Sequence, residues 1–172
     1  MKMAASGLAS RNIIRTLSLA RSHANKRLAS SSAESSAVGL CFKTRIVSGV
    51  AGQHEVWADM PSDGGGQGDG PSPKDLAMAG LAACTSMTIQ TRANSMVKSG
   101  RLPSTALTGV KVIAKDVTPP GGHMPEGVEM EVILEGVLTD VQRRQLMAAA
   151  ETCPVKRMMQ GKLKSGVTMK SR

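Results

Sequence analysis

Residues 64–88 read GGGQGDGPSPKDLAMAGLAACTSMT, and the fold turns on the residues after the glycines. Ser72 is placed to cap a helix. Pro73 takes the first helical position, where its missing N–H is not needed, and Asp75, three residues after Ser72, completes a capping box. From Lys74 to about Lys98 there is no proline and one interior glycine, Gly80. Leu76, Ala79, Gly80, Ala83, Met87 and Gln90–Thr91 recur at helical spacing. Nearly every residue from 76 to 89 is apolar or small, which predicts a long helix buried on all sides. Small residues at Ala79, Gly80, Ala82 and Ala83 leave room for a close neighbour.

The glycines themselves, five in the seven residues 64–70, invite a phosphate-binding reading. It fails at required positions. A P-loop places Lys-Ser/Thr directly after its last glycine, and Gly70 is followed by Pro71–Ser72. The dinucleotide pattern begun at Gly66 meets Pro71 where its third glycine belongs, with no βαβ unit after it. A turning loop that feeds a capped helix accounts for the stretch.

Outward from the helix, residues 41–50 and 53–60 read as two strands with a tight turn at Gly52–Gln53; His54, Val56, Ala58 and Met60 alternate with Glu55, Trp57 and Asp59. Ser99–Gly100 ends the helix. Two further strands fall at 105–117 and 127–138, where Glu129, Glu131 and Glu135 alternate with Val132 and Leu134, as in a sheet with one wet face. Thr139–Gln142 is a second capping box, and the helix behind it carries Leu146, Ala149, Ala150 and Cys153 on one stripe until Pro154 stops, kinks or restarts it. Gly161 closes the helical region and 163–169 reads as a last short strand. The order predicts an α+β fold with mostly antiparallel sheets around a long buried central helix.

Of the 172 residues, 12 are Met, while Phe42 and Trp57 are the only aromatics. A core of such small and flexible side chains favours a dimer that completes it. The net charge is +9, and more than half of it lies in residues 1–38, where six Lys and Arg face only Glu34. Residues 1–33 lack acids, are rich in Ser, Ala and Arg, and set Ile13, Ile14 and Leu17 among Arg11, Arg15 and Arg21. This is the composition of an organelle transit peptide. The expectation is a mitochondrial leader over 1–38, with a plastid address as the alternative, ahead of one domain over 39–172. No aromatic-interleaved basic patch supports nucleic-acid binding, and no stretch is long and apolar enough to span a membrane.

Three cysteines, Cys41, Cys84 and Cys153, form no C-x-x-C pair, and with His23, His54 and His123 they show no zinc-like spacing. Cys41 is a strand residue with no assigned role. Cys84, mid-helix among apolar neighbours, reads by itself as a small core residue. Cys153 adds a second thiol, at a helix end before Pro154-Val155-Lys156-Arg157, where cations favour a thiolate. An attacking and a resolving thiol need two such cysteines, although a separation of 69 residues does not show that they meet.

GPSPKDLAMAGLAACTSMT resembles the motif of the OsmC/Ohr family, in which a Gly-rich loop and a Pro lead into a central helix bearing a reactive cysteine. ETCPVKRMM resembles the family's second cysteine motif. HEVWADMP resembles its second strand, which usually ends in Asp-Glu-Pro, and LEGVLTDVQRRQLMAAAETCP its strand, turn and helix before the second cysteine. Together these cover most of residues 40–170. The resemblance implies an intertwined homodimer and a thiol peroxidase for organic hydroperoxides, with Cys84 as the peroxidatic cysteine and Cys153 as the resolving one. It also implies reduction by a small or lipoyl-type dithiol, with no metal or organic cofactor. A weakly catalytic or non-catalytic redox sensor of the same fold is the alternative. One departure bears on efficiency. Where the family places a Glu that orients an arginine over the thiolate, this chain has Lys74, with Asp75 one residue later. Arg45 is the only arginine in the N-terminal strand region, and Lys74 is a candidate to supply charge itself.

Overall fold

Helix α1, Pro73–Lys98, organises the molecule. Its capping box forms as the sequence predicts: Ser72 Oγ accepts from the Asp75 N–H at 3.2 Å, and the Asp75 carboxylate accepts from the Ser72 N–H at 3.0 Å and hydroxyl at 2.7 Å. It ends in a Schellman motif. Gly100 takes φ 70°, its N–H donates to Val97 O, and Arg101 N–H donates to Met96 O at 2.9 Å.

The computed structural model describes residues 33–37, 42–49, 54–122 and 124–161, all within the unit Ala33–Arg172. Strands β1 (Ala33–Ala37), β2 (Thr44–Ser48) and β3 (His54–Ala58) form one antiparallel sheet; β4 (Leu107–Val117) and β5 (Gly127–Gly136) form another. Helices α2 (Asp140–Ala150) and α3 (Pro154–Met159) complete the described elements. The architecture is α+β with antiparallel sheets and a long helix. Strand β1 was not anticipated and falls inside the span read as a leader. The expected turn at Gly52–Gln53, the strand at 163–169, Cys41 and His123 lie outside the described residues.

The core gathers Ile89, Ala93 and Met96 of α1 with Leu102, Ala106, Leu134, Leu146 and Ala150, flanked by Val110 and Val132. As predicted, β5 keeps Glu129, Glu131 and Glu135 exposed and turns Leu134 inward. The second capping box also forms, and Gln142 Nε2 donates onward to Arg101 O at 2.9 Å, tying α2 to the end of α1.

One expectation about burial is corrected. Helix α1 is not buried on all sides of one chain: its buried stripe is Leu81, Thr85, Ile89, Ala93 and Met96, while Ala79, Gly80, Ala83 and Met87 are exposed. A segment that is apolar all round carries no periodicity to single out a face, so contact with β4 and α2 decides it. In β3, Val56 and Trp57, on opposite sides, are 41% and 44% exposed, because among the described elements none packs over that sheet as the core packs over β4–β5.

The glycine-rich loop does hold an anion, and the anion is the chain's own. Asp59, 2% exposed, accepts from the N–H groups of Met60 (2.8 Å), Gln67 (3.0 Å) and Asp69 (3.2 Å). Burial pushes its carboxyl up, but the amides of Asp69, Gln67, Met60 and Gly68 outweigh that and hold it below the ordinary carboxylate value. A Cβ at Gly66 would sit 1.9 Å from Met60 O and 2.9 Å from Asp59 Oδ1, so only glycine lets the loop close. Gly66→Ala should therefore cost roughly 1–3 kcal/mol in urea unfolding. A cost within about 0.5 kcal/mol, that of an ordinary surface change, would contradict the close approach. The folded carboxyl is depressed, so its contribution is present above the ordinary value of about 4 and fades as pH falls through the lower folded value. Asp59→Asn should flatten that part of the acid profile.

Candidate active site

Cys84 lies about three turns into α1, next to the stripe residue Thr85. Cys153 comes after α2 and is the N-cap of α3, with Pro154 at the first helical position. Pro154 thus starts a new helix, one of the outcomes open from sequence. Packing of α3 against α1 brings the two thiols close enough to act on each other's ionisation, and both are free. The approach that sequence spacing left open is therefore present in one chain. Cys84 is half-buried and Cys153 fully buried.

Their surroundings differ. For Cys84, burial is the largest influence and pushes the thiol up. The neighbouring Cys153 sulfur adds to this, and the Val155 amide and Thr88 hydroxyl only partly oppose it. For Cys153, burial also pushes up, but the Thr85 hydroxyl, the Lys156 and Val155 amides and the Cys84 thiol outweigh it, and the net shift is downward. No closed side-chain cap bond forms at Cys153; the amides of the first turn act as nearby dipoles. Each thiol acts on the other's ionisation, so the two titrate as a coupled pair.

Thr85 was not singled out from sequence. It is 0% exposed, and its Oγ1 lies 3.8 Å from Met130 Sδ as well as facing Cys153. A hydroxyl inside a run of Ala, Leu and Met, directly after a cysteine, was the available signal. Thr88, one turn beyond Cys84, donates to Cys84 O at 2.8 Å.

The charged candidates stand elsewhere. Arg45 pairs with Glu55 across β2–β3 at 2.6 Å. Lys74 pairs with Asp116 of β4 at 3.0 Å, and its ten-residue separation from Cys84 corresponds to about 15 Å of helix axis. Asp75 is engaged in the cap at Ser72, whose hydroxyl and N–H hold its carboxyl below the ordinary value. None of the three meets the thiol pair within one chain. Among the described residues, no cluster of three or more His, Cys, Asp or Glu could hold a metal, and no helix is long and apolar enough to cross a membrane.

A long helix and a short helix that present two facing thiols above antiparallel sheets define an α+β protein with a dithiol site. The chain belongs to the OsmC-like protein family, whose model matches residues 66–168. No curated protein matches it. Among solved structures it resembles an OsmC organic hydroperoxide resistance protein from Legionella pneumophila (20% identity, 79% of this chain and 93% of that one, TM-score 0.54). It also resembles an OsmC-like protein from Mycoplasma pneumoniae (13% identity, 77% and 89%, TM-score 0.59). A third is an organic hydroperoxide resistance protein from Elizabethkingia anophelis (23% identity, 80% and 92%, TM-score 0.52). At these identities the likeness concerns the fold.

Thr85→Val keeps the shape at the site and removes the hydroxyl that favours the Cys153 thiolate. The pH dependence of thiol alkylation should then move to higher pH. An unmoved profile would show that the hydroxyl does not serve that sulfur.

Proposed function

We propose that the protein is a cysteine-based peroxidase that reduces organic hydroperoxides. The observation that carries this reading is the meeting of Cys84 and Cys153 as free thiols from helices distant in sequence. Membership of the OsmC-like family and the hydroperoxide-resistance names of structural neighbours support it.

The geometry suggests a division of labour. Cys84, the more accessible thiol, passes its proton to the Cys153 thiolate and attacks the terminal peroxide oxygen. The O–O bond breaks, Cys84 becomes a sulfenic acid, and the alkoxide takes a proton to leave as alcohol. Cys153 then attacks the Cys84 sulfur, water departs, and a disulfide forms. Two thiols and one hydroperoxide yield one disulfide, one alcohol and one water. A small or lipoyl-type dithiol returns the disulfide to two thiols by exchange. Burial pushes the Cys84 thiol up, which favours the second reading, a slow thiol sensor oxidised once without rapid turnover.

The reading includes a homodimer. Ala79, Gly80, Ala83 and Met87 leave an apolar face of α1 open, and Val56 and Trp57 do the same on the β1–β3 sheet. A second copy that covered them would complete the core and bring its charged residues to the thiols. It also includes a mitochondrial leader within 1–38, and the pairing of Ala33–Ala37 with β2 favours a cut before Ala33.

Turnover of cumene hydroperoxide with a dithiol should vanish in Cys84→Ser, and Cys153→Ser should stall at a Cys84 sulfenic acid trapped by dimedone. Mild oxidation of the wild type should give a Cys84–Cys153 disulfide by peptide mass mapping. A single stoichiometric oxidation without turnover would select the sensor, and no such disulfide would rule out both readings. In sedimentation the protein should run as a dimer, and Gly80→Leu should weaken it. A monomer at micromolar concentration would refute the assembly.

A further inference from the structure

Cys153 sits at the junction of α2 and α3, and an ion pair closes over that junction. The Cys153 N–H donates to Ala150 O at 3.3 Å, and its carbonyl accepts from the Arg157 N–H at 3.1 Å. Glu151, the C-cap of α2, pairs with Lys156 of α3. The two partners are unequal: the Lys156 side chain is 20% exposed and the Glu151 side chain 71%. A pair with one partner so open to water is weak and ready to exchange.

The helix position of Lys156 offers it a second partner. Cys153 is the N-cap of α3, and Lys156 is the third helical residue after it. A side chain at that position reaches back over the N-cap. The same relation holds at the start of α1, where Asp75 brings its carboxylate to 2.7 Å from the Ser72 hydroxyl. Lysine is longer than aspartate, so an ammonium here has the reach to the Cys153 sulfur. The Lys156 amide already acts on that sulfur, while its ammonium is committed to Glu151. The other groups that bear on Cys153 are the Thr85 hydroxyl and Cys84 thiol of α1 and the Val155 amide. Arg157 is exposed and gives the junction its N–H. The arrangement is a capping box with its charges inverted, an incipient anion at the N-cap and a cation three residues on.

We propose that Lys156 is the charge partner of the Cys153 thiolate and that Glu151 holds it in reserve. The ammonium rests on Glu151 while Cys153 is a thiol or a disulfide, and turns to the sulfur when Cys153 is a thiolate. Glu151 is a positioning residue that acts through Lys156. No covalent bond of either side chain changes; the Cys153 proton leaves to solvent and one ion pair replaces another. A thiolate paired with a cation forms at lower pH. Cys153 then attacks a Cys84 sulfenic acid more readily, and leaves more readily when a dithiol opens the disulfide. That role rests on the peroxidase reading; the exchange of partners rests on the junction alone.

Ionisation of Cys153 is read from the Cβ NMR signal of isotope-labelled cysteine in the reduced full-length protein. Glu151→Gln should move its midpoint to lower pH, giving about threefold more thiolate on the acid side, the scale of a partly exposed charge contact. Lys156→Met, which keeps the stem, should move it upward. Glu151→Gln also removes a negative charge near the sulfur, so the lysine-free background decides. With Lys156→Met added, the downward shift should vanish; with Lys156→Arg added, it should persist. A midpoint unmoved or raised in Glu151→Gln would make the pair a plain clamp between helices and overturn the proposal. A shift that survives without the lysine would overturn it too, because Glu151 would then act by its own field. The Cys84 sulfenic acid, followed by dimedone trapping after one equivalent of cumene hydroperoxide, should live about threefold less long in Glu151→Gln below the midpoint. An unaltered lifetime beside a shifted midpoint would refute the role in resolution. A protein whose Cys153 responds as expected but which turns over no hydroperoxide would keep the Lys156 partnership and lose the peroxidase reading.

Discussion

A single stripe on α1 underlies both the core and the site. Leu81, Thr85, Ile89, Ala93 and Met96 point the same way, and burying Ile89, Ala93 and Met96 against β4 and α2 fixes how the helix is rotated. That rotation puts Thr85 under Cys153 and leaves Cys84 beside it at the boundary of the core. A helix turned by one residue, about 100°, would carry Cys84 to another face and separate it from α3. The dithiol site is therefore a consequence of core packing, and mutations that loosen the stripe should act on thiol chemistry before they unfold the chain.

Much of this was legible in the sequence because it rests on short-range chemistry. Both capping boxes, the Ser99–Gly100 stop, the wet face of β5 and the stripe Leu146, Ala149 and Ala150 come from local patterns and appear as read, whereas Cys153, expected on that stripe, lies beyond α2 as the N-cap of α3. The face of α1 did not, since a segment of Ala, Leu, Met and Gly offers every face to the core and only tertiary contact chooses. Strand β1 was hidden for a different reason. Ala33–Ala37 is short, polar and fully exposed, and its order comes from β2 backbone groups, which leave no mark on side-chain pattern. In the site, the two cysteines were legible as motif residues. Thr85 was hidden in the apolar run, and the ion-pair partners of Arg45 and Lys74, Glu55 and Asp116, could not be read from spacing.

The glycine loop shows how a local signal can be right in chemistry and wrong in ligand. Glycine-rich turns expose amides, and exposed amides attract anions. Here the amides of Met60, Gln67 and Asp69 converge on Asp59, which arrives from the end of β3. The internal carboxylate occupies the place that a bound phosphate would need, and it anchors β3 to the start of α1. The strand sheet and the central helix are joined through that one buried charge and the Asp59 N–H to Pro71 O bond at 3.2 Å.

The unequal thiols reflect two demands that one cysteine cannot meet. A nucleophile must be reached by substrate, and a stable thiolate needs donors that exclude solvent. Cys84 has the access, and its donors, the Val155 amide and the Thr88 hydroxyl, do not outweigh burial; Cys153 has Thr85 and the α3 amides and is fully buried. Each sulfur acts on the other's ionisation, and burial pushes the Cys84 thiol up. A raised thiol is the less ionised nucleophile. A cation close to Cys84 would favour its thiolate, and neither Arg45 nor Lys74 supplies one within a single chain. On the proposed peroxidase reading, the reactivity of the sulfur pair would then depend on what a second copy or a bound substrate adds to it.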